Sequence, residues 1–111
     1  MVAGGIEAGE SPRRAAVREL REETGYRAGK LKLLFDFFPS PGCLSERMFL
    51  VEARALRPAQ SCPEPDEVIS VASFSLTQLQ TMIRQQKIKD GKTLVGLLWL
   101  LERERPMANP A

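Results

Sequence analysis

The stretch that decides the fold covers residues 4–26 and has the sequence GGIEAGESPRRAAVRELREETGY. Ser11 can accept hydrogen bonds from the free amides of a helix start, and Pro12 suits the first helical position because it has no amide hydrogen to leave unpaired. Gly25 can adopt the left-handed conformation that ends a helix. The stretch therefore predicts a Gly-rich loop followed by one helix from residue 13 to about residue 24.

Three carboxylates crowd one side of this predicted helix. Glu19 and Glu23 are one turn apart, and Glu22 lies three residues after Glu19. Like charges at these spacings destabilise a helix unless arginines or a bound cation compensate them. Hard divalent cations, Mg²⁺ in particular, prefer such oxygen-only surroundings. The structural alternative is a solvated helix face with ion pairs, since Arg18 and Glu22 are also one turn apart.

The wider spacing favours a metal site over a solvated face. Gly4 is followed after five residues by Glu10, and after seven more by the run Arg18-Glu19-Leu20-Arg21-Glu22-Glu23, with Gly25 and Tyr26 behind it. This pattern resembles the Nudix box at every charged and glycine position. Tyr26 departs from the family, which usually has an aliphatic residue there. A tyrosine can still cover the end of the helix.

The resemblance implies a role for each residue of the box. The metal ligands would be Glu19, Glu22, Glu23 and the backbone carbonyl of Ala3, and the cofactor would be Mg²⁺, with Mn²⁺ as a substitute. Arg18 would hold the carboxylates in place, and Glu10 would fix the loop against the helix. Gly4 and Gly5 would let the backbone approach a diphosphate closely. Bound cations would neutralise the diphosphate oxygens and lower the pKa of an attacking water.

Signals for the substrate lie outside the box and are less specific. Ser40-Pro41-Gly42 resembles a loop of the ADP-ribose pyrophosphatases, in which a proline follows the box at this distance, so Pro41 is the candidate substrate contact. A proline-bearing turn between two strands is the alternative. The same resemblance implies an acidic residue that positions or deprotonates the water in a later loop. Glu67 is the first choice and Glu64 the second, unless both merely solubilise a Pro-rich loop.

Composition bounds the remaining possibilities. The chain has 111 residues, 43% hydrophobic and 27% charged, which is typical of one globular domain, here expected over residues 1–105 with a flexible tail at 106–111. It has no histidine, so any chemistry must come from carboxylates. The formal charge of +2, with arginines and glutamates interleaved, disfavours nucleic acid as a partner. Two cysteines and the lack of a long apolar run predict a cytoplasmic protein that does not insert into membranes.

The remaining elements are predicted from apolar patterns and turn residues. Strands are expected at 31–38, 47–56 and about 68–74, and helices from Ser75 to near Gln86 and over 92–104, the last with an apolar face of Leu94, Val95, Leu97, Leu98 and Leu101. Nudix proteins begin with several strands before the box, whereas Gly4 is the fourth residue here. The expected fold is therefore α/β (α+β), a Nudix-type α/β/α sandwich with a mixed sheet, N-terminally truncated.

The predicted function is Mg²⁺-dependent hydrolysis of ADP-ribose to AMP and ribose 5-phosphate, with a small-molecule nucleotide diphosphate as the partner. Alternatives are another nucleotide-sugar or dinucleotide diphosphatase, a non-catalytic nucleotide-binding module, or a structural fragment that folds against another chain. The absence of the early strands predicts weak or no turnover by these 111 residues alone. The full-length form is expected to be a homodimer.

Overall fold

The computed structural model describes residues 1–59 and 71–106, and the positions of Glu64 and Glu67 lie outside these ranges. The chain divides into two compact units, Met1–Val71 and Ala72–Ala111. The first unit contains helix α1 and a two-stranded sheet, and the second contains helices α2 and α3. Within the described residues, none of the helices combines the length and apolar composition that a membrane crossing requires.

Helix α1, Pro12–Thr24, begins and ends where the sequence predicts. The Ser11 hydroxyl accepts a hydrogen bond from the Arg14 amide at 3.2 Å, and Pro12 occupies the first turn. Gly25 has φ 74°, in the left-handed region, and its amide donates to the Arg21 carbonyl at 2.9 Å. Local side-chain chemistry is therefore sufficient to set both ends of this helix.

The sheet consists of two long antiparallel strands, β1 Tyr26–Phe37 and β2 Met48–Pro58. Both predicted strands are confirmed, but β1 begins five residues earlier than expected, directly after Gly25. Residues 26–30 lack the apolar pattern of a strand, yet they pair with the end of β2, from Tyr26 opposite Pro58 to Lys30 opposite Arg54. Pairing with a partner strand, which a single segment does not reveal, extends β1. The register shifts between Leu33 and Phe35, as a β-bulge would cause.

The strand predicted at 68–74 is not formed over its described part. Residues 71–74 have no regular secondary structure, and Val71 and Phe74 are both about half exposed. An apolar run forms a strand only when another strand supplies its hydrogen bonds, and no partner pairs with these four residues. The sheet of the described residues is accordingly antiparallel. Together with the helices it confirms the α/β class.

The second unit is built from helices α2, Leu76–Arg84, and α3, Gly91–Glu104. Ser75 and Gln78 form a reciprocal capping box at the start of α2, and the Asp90 carboxylate accepts from the Thr93 amide at the start of α3. Both helices were predicted to within two residues. The predicted apolar face of α3 is only partly covered, because Val95 and Leu98 are exposed, Leu98 by 52%.

Little of the described chain is fully enclosed. Ala15 on α1 and Gly96 on α3 are its buried residues, and no large side chain in these ranges is completely buried. Large apolar side chains such as Leu33 and Phe38 remain 44% and 54% exposed. The loop that precedes α1 is therefore held against the helix mainly by polar contacts.

Candidate functional site

Arg18, in the middle of α1, joins the helix to the loop at residues 4–10. Its Nε donates to Oε2 of Glu10 and its Nη2 donates to Oε1 of Glu10, both at 2.9 Å. This is the two-bond geometry in which a guanidinium matches a carboxylate best. The two side chains are 20% and 14% exposed, so water has limited access to the pair.

This pair shifts the protonation of both partners. The hydrogen bonds from Arg18, with a further one from the Glu7 amide, lower the pKa of Glu10 from 4.5 to about 2. Hydrogen bonding to Glu10, and next to Glu19, raises the pKa of Arg18 above its ordinary value. Glu10 is therefore a permanent anion at neutral pH, and Arg18 a permanent cation.

The rest of the Arg18 guanidinium reaches both the loop backbone and the helix carboxylates. Its Nη2 donates to the Gly5 carbonyl at 2.8 Å, and its Nη1 donates to Oε1 of Glu19 at 2.8 Å and to Oε2 of Glu22 at 3.4 Å. One planar cation thus ties the loop to two of the predicted metal ligands.

The loop also touches Glu19 directly, at Gly4. A Cβ added to Gly4 would lie 2.1 Å from the Glu19 Cδ and 2.3 Å from its Oε1, far inside contact distance. Any side chain at this position would push the carboxylate or the loop away. A Cβ on Gly5, by contrast, would meet nothing within 4 Å among the described residues. The structure therefore gives a steric reason for the first glycine and none for the second.

The other predicted site residues are less closely connected. Ala3 is exposed in the loop, Glu22 is exposed on the helix with 49% of its side chain accessible, and Glu23 is half-buried. Pro41 lies in the exposed loop between the two strands, and the contacts of Arg18 do not include it. Glu64 and Glu67 lie outside the described residues. The structure thus brings together a group of residues that is here called the Arg18 cluster: Gly4, Gly5, Glu10, Arg18, Glu19 and Glu22.

The donor chemistry of this cluster fits a hard divalent cation, although its side chains do not converge on one point. Among residues 1–59 and 71–106, no group of three or more acidic or cysteine side chains is placed to hold a metal ion. Glu19 and Glu22 instead direct oxygens toward Arg18. Mg²⁺ is usually held by one or two carboxylates together with water and substrate phosphate oxygens, so a closed protein cage is not required.

Sequence reasoning missed the part that Glu7 plays. Its amide donates to Oε1 of Glu10 at 3.1 Å, its carbonyl accepts from the Glu10 amide at 3.0 Å, and its carboxylate lies 3.9 Å from Arg18. These contacts close a turn that presents Glu10 to the helix. Two glutamates three residues apart around a glycine were the available signal, but the turn becomes visible only in the folded loop.

The proteins that resemble this chain include three curated relatives and one solved structure. A methanol dehydrogenase activator from Bacillus methanolicus and an ADP-ribose pyrophosphatase from Bacillus subtilis (strain 168) are each 34% identical over 104 residues, 92% of this chain and 56% of the relative. A GDP-mannose pyrophosphatase from Pectobacterium atrosepticum is 36% identical over 90 residues, 78% of this chain and 47% of the relative. A crystal structure of an ADP compounds hydrolase superposes with a TM-score of 0.72 at 28% identity, covering 91% of this chain and 57% of that one.

This chain spans about half the length of the curated relatives it matches. The family model described as the NUDIX domain matches residues 1–94, which include the loop, helices α1 and α2, both strands and the start of α3. The match contains the whole Arg18 cluster. By this match the chain belongs to the NUDIX domain family, as the spacing of its glycines and charged residues predicts.

Proposed function

We propose that this chain carries the catalytic site of a divalent-metal-dependent hydrolase that cleaves the diphosphate of ADP-ribose to AMP and ribose 5-phosphate. The observation that carries the proposal is the Arg18 cluster. One guanidinium fixes a glycine-rich loop, through Glu10 and the Gly5 carbonyl, beside the carboxylates of Glu19 and Glu22.

Glu19, Glu22 and Glu23, with the backbone carbonyl of Ala3, are the groups that would hold Mg²⁺ or Mn²⁺. When bound, the cation supplies positive charge to the diphosphate oxygens and lowers the pKa of a water that attacks phosphorus. The protein's own contribution is to hold the oxygen ligands in place before the substrate arrives. Because Arg18 contacts two of these carboxylates, it reduces their mutual repulsion and limits the positions they can take.

The loop contributes through its backbone. Gly4 lets it lie against the Glu19 carboxylate, and the bond from Arg18 to the Gly5 carbonyl fixes its position along the helix. The backbone at Gly4 and Gly5 is exposed, and without side chains it would let a diphosphate bound to the cations approach closely. We assign Gly4, Gly5 and Glu10 to this substrate-facing part of the site, and Pro41 to the contact with the rest of the substrate.

We assign the proton transfer from the attacking water to Glu67, with Glu64 as the second choice. A carboxylate near bound cations stays ionised at neutral pH and can orient or deprotonate a water. The assignment rests on the resemblance in sequence and stays a prediction, as does the cytoplasmic location. The full-length form is proposed to be a homodimer, which size-exclusion mass measurements would test.

The relatives support ADP-ribose as the first candidate substrate and leave two alternatives. The names of the Bacillus subtilis relative and of the solved structure both point to ADP compounds, whereas the GDP-mannose pyrophosphatase points to another nucleotide sugar. The methanol dehydrogenase activator favours a candidate from a different class, a module that acts on another protein. An assay of diphosphate hydrolysis distinguishes the two enzyme candidates, for ADP-ribose and for another nucleotide sugar, from a module that only acts on another protein.

The decisive experiment assays ADP-ribose, GDP-mannose and a dinucleotide polyphosphate with Mg²⁺, beside Mn²⁺ titrations in the presence of ADP-ribose. The parent in this and the later assays is the gene product that contains these 111 residues, because the 111 residues alone are expected to turn over weakly or not at all. It is compared with Glu23→Gln and with Glu104→Gln, a control on α3. We expect ADP-ribose to be cleaved fastest, Glu23→Gln to lose cleavage and Mn²⁺ uptake, and Glu104→Gln to match the parent. A parent chain that neither takes up Mn²⁺ nor cleaves any of these compounds would overturn the proposal.

A second variant tests the proposed base. Glu67→Gln should slow turnover of ADP-ribose while leaving Mn²⁺ uptake nearly unchanged, because a residue that acts on the water is not a metal ligand. If Glu67→Gln instead abolishes Mn²⁺ uptake, this residue binds the metal, and the assignment as base moves to Glu64.

A further inference from the structure

The loop that carries Pro41 is closed at its base by an ion pair that the site described above does not use. This loop spans residues 38–47, between the end of β1 and the start of β2. Asp36 lies one residue before the end of β1, and Arg47 directly precedes β2. The Arg47 Nε donates to Oδ2 of Asp36 at 2.6 Å. The pair therefore joins the two strand ends from which the loop emerges.

Phe49 gives the same arginine a second contact. The guanidinium carbon of Arg47 lies 5.0 Å from the centre of the Phe49 ring, within the range of a cation–π interaction. Phe49 is two residues after Arg47, and in the sheet it is paired with Asp36. Asp36, Arg47 and Phe49 thus form one connected group, here called the loop clasp.

The loop above the clasp has order of its own. The Ser40 carbonyl accepts hydrogen bonds from the amides of Cys43 at 3.0 Å and Leu44 at 2.8 Å, which closes a tight turn around Pro41. This turn gives the Ser-Pro-Gly segment its local shape, and its two bonds open more often once the loop is no longer closed at its base. It does not fix the direction in which the segment leaves the sheet, because that depends on the two strand ends that the clasp joins.

A second arginine–carboxylate pair on the same sheet differs from the clasp in what it joins. Arg54 donates to Glu52 at 3.0 Å, but both residues lie within β2, so breaking this pair frees no loop. Exposed ion pairs add little to overall stability, and Asp36 and Arg47 are 40% and 55% exposed. The effect of the clasp should therefore appear in the loop it closes and hardly at all in global unfolding.

We propose that Asp36 and Arg47 are positioning residues that hold the Pro41 loop for substrate binding. The proposal rests on the proposed function, because that function assigns Pro41 to the substrate. No residue of the clasp is among the hydrogen-bond or ion-pair partners of Arg18, which joins the carboxylates to the glycine-rich loop. Breaking it should therefore weaken binding of ADP-ribose and leave the catalytic step unchanged.

The test compares Asp36→Asn with Glu52→Gln, each of which removes one carboxylate from an arginine pair on this sheet. Amide hydrogen exchange at Cys43 and Leu44 reports the loop without any substrate. The Kd and KM for ADP-ribose, compared with kcat, report whether the loop takes part in substrate binding. We expect Asp36→Asn to raise the exchange rates, the Kd and the KM by about two- to fivefold, the range that corresponds to an exposed ion pair. Its kcat should stay unchanged, and Glu52→Gln should match the parent in every measurement.

Two further conditions sharpen the test. Asp36→Glu keeps the charge and should restore most of the loss, and high salt should shrink the difference between Asp36→Asn and the parent. If amide exchange at Cys43 and Leu44 is unchanged in Asp36→Asn, the ion pair does not hold the loop, whatever the substrate measurements show. Faster exchange with unchanged Kd and KM overturns its role in binding. A parent chain that neither binds nor cleaves ADP-ribose overturns the proposed function and this role with it, while the exchange rates separately decide whether the clasp holds the loop.

Discussion

The loop and helix at residues 4–23 and the helices at residues 76–104 are held in different ways. In the first region Arg18 contacts groups 8 and 13 residues away along the chain, in Glu10 and Gly5. In the second, the hydrogen bonds that start each helix join residues three apart, Ser75 with Gln78 and Asp90 with Thr93. A helix can make bonds of the second kind by itself. Bonds of the first kind require the loop to fold back onto the helix.

This difference indicates where each region is vulnerable. Neither unit encloses a large side chain completely among its described residues, so hydrophobic burial alone does not fix the position of the loop. In the first region that position depends on one guanidinium and one glycine. Substitutions there should change chemistry more than stability, whereas substitutions at the caps of the second region should change stability alone.

Among substitutions that leave the carboxylates in place, the largest effect is expected from Gly4→Ala. Its methyl group would overlap the Glu19 carboxylate, so either the proposed metal ligand or the loop must move by an ångström or more. Misplacement on this scale can cost about 100-fold in rate, and we expect a loss of that size in kcat/KM for ADP-ribose. Gly91→Ala is the matched control, because a Cβ there meets nothing within 4 Å among the described residues. Equal activity of Gly4→Ala and the parent would contradict the close approach.

A smaller effect is expected from Arg18→Lys. Lysine keeps the charge but cannot donate two parallel bonds to Glu10 while also reaching Gly5 and Glu19. Groups that orient metal ligands contribute about 10- to 100-fold to metal affinity or activity, and we expect a loss near the lower limit, about tenfold, in the apparent affinity for Mn²⁺. Arg21→Lys, exposed on the same helix, should leave the affinity unchanged. If Arg18→Lys keeps the full affinity for Mn²⁺, the positive charge at this position is sufficient and the hydrogen-bond geometry of the guanidinium is not needed.

Acid should weaken the first region in a defined pH range. The pKa of Glu10 is about 2 in the folded chain and 4.5 ordinarily, so the folded state binds fewer protons between these values. The stabilisation from Glu10 is therefore complete above about pH 4.5 and is lost as the pH falls toward 2. A side-chain NMR titration should place the Glu10 pKa near 2 in the parent and closer to 4.5 in Arg18→Lys. A value near 4.5 in the parent would show that the pair is not formed in solution.

The smallest functional effect is expected in the second region, from Ser75→Ala. Loss of the hydroxyl breaks the capping box of α2 and should cost about 1 kcal/mol of unfolding free energy, measured by urea denaturation. Hydrolysis of ADP-ribose at a temperature where the variant stays folded should be unchanged. A drop in activity as large as that of Arg18→Lys would mean that the two regions do not differ in the way described.

Sequence reasoning succeeded best where a residue acts on its chain neighbours. Ser11 and Gly25 mark the ends of α1 correctly, and Ser75 lies at the start of α2 as expected. The spacing of the glycines and carboxylates was sufficient to identify the family. These features depend on helical periodicity and on local backbone chemistry, both of which can be deduced from the order of residues.

It failed where the answer depended on a distant partner. The first five residues of β1 are strand because the end of β2 pairs with them, and residues 71–74 are not strand because nothing described pairs with them. The turn at Glu7 and the clasp of Asp36 and Arg47 likewise join groups whose meeting the local pattern did not reveal.

The order of residues by itself determined which groups are available for chemistry: three carboxylates on one helix, an arginine among them, a glycine-rich loop before them, and no histidine. Tertiary structure alone decided how these groups meet. It turned Arg18 toward Glu10 and the Gly5 carbonyl, and it laid Gly4 against Glu19. The physical reason is that hydrogen bonds and steric contacts act over a few ångströms in space, whereas sequence spacing fixes such distances only within a helix or a tight turn.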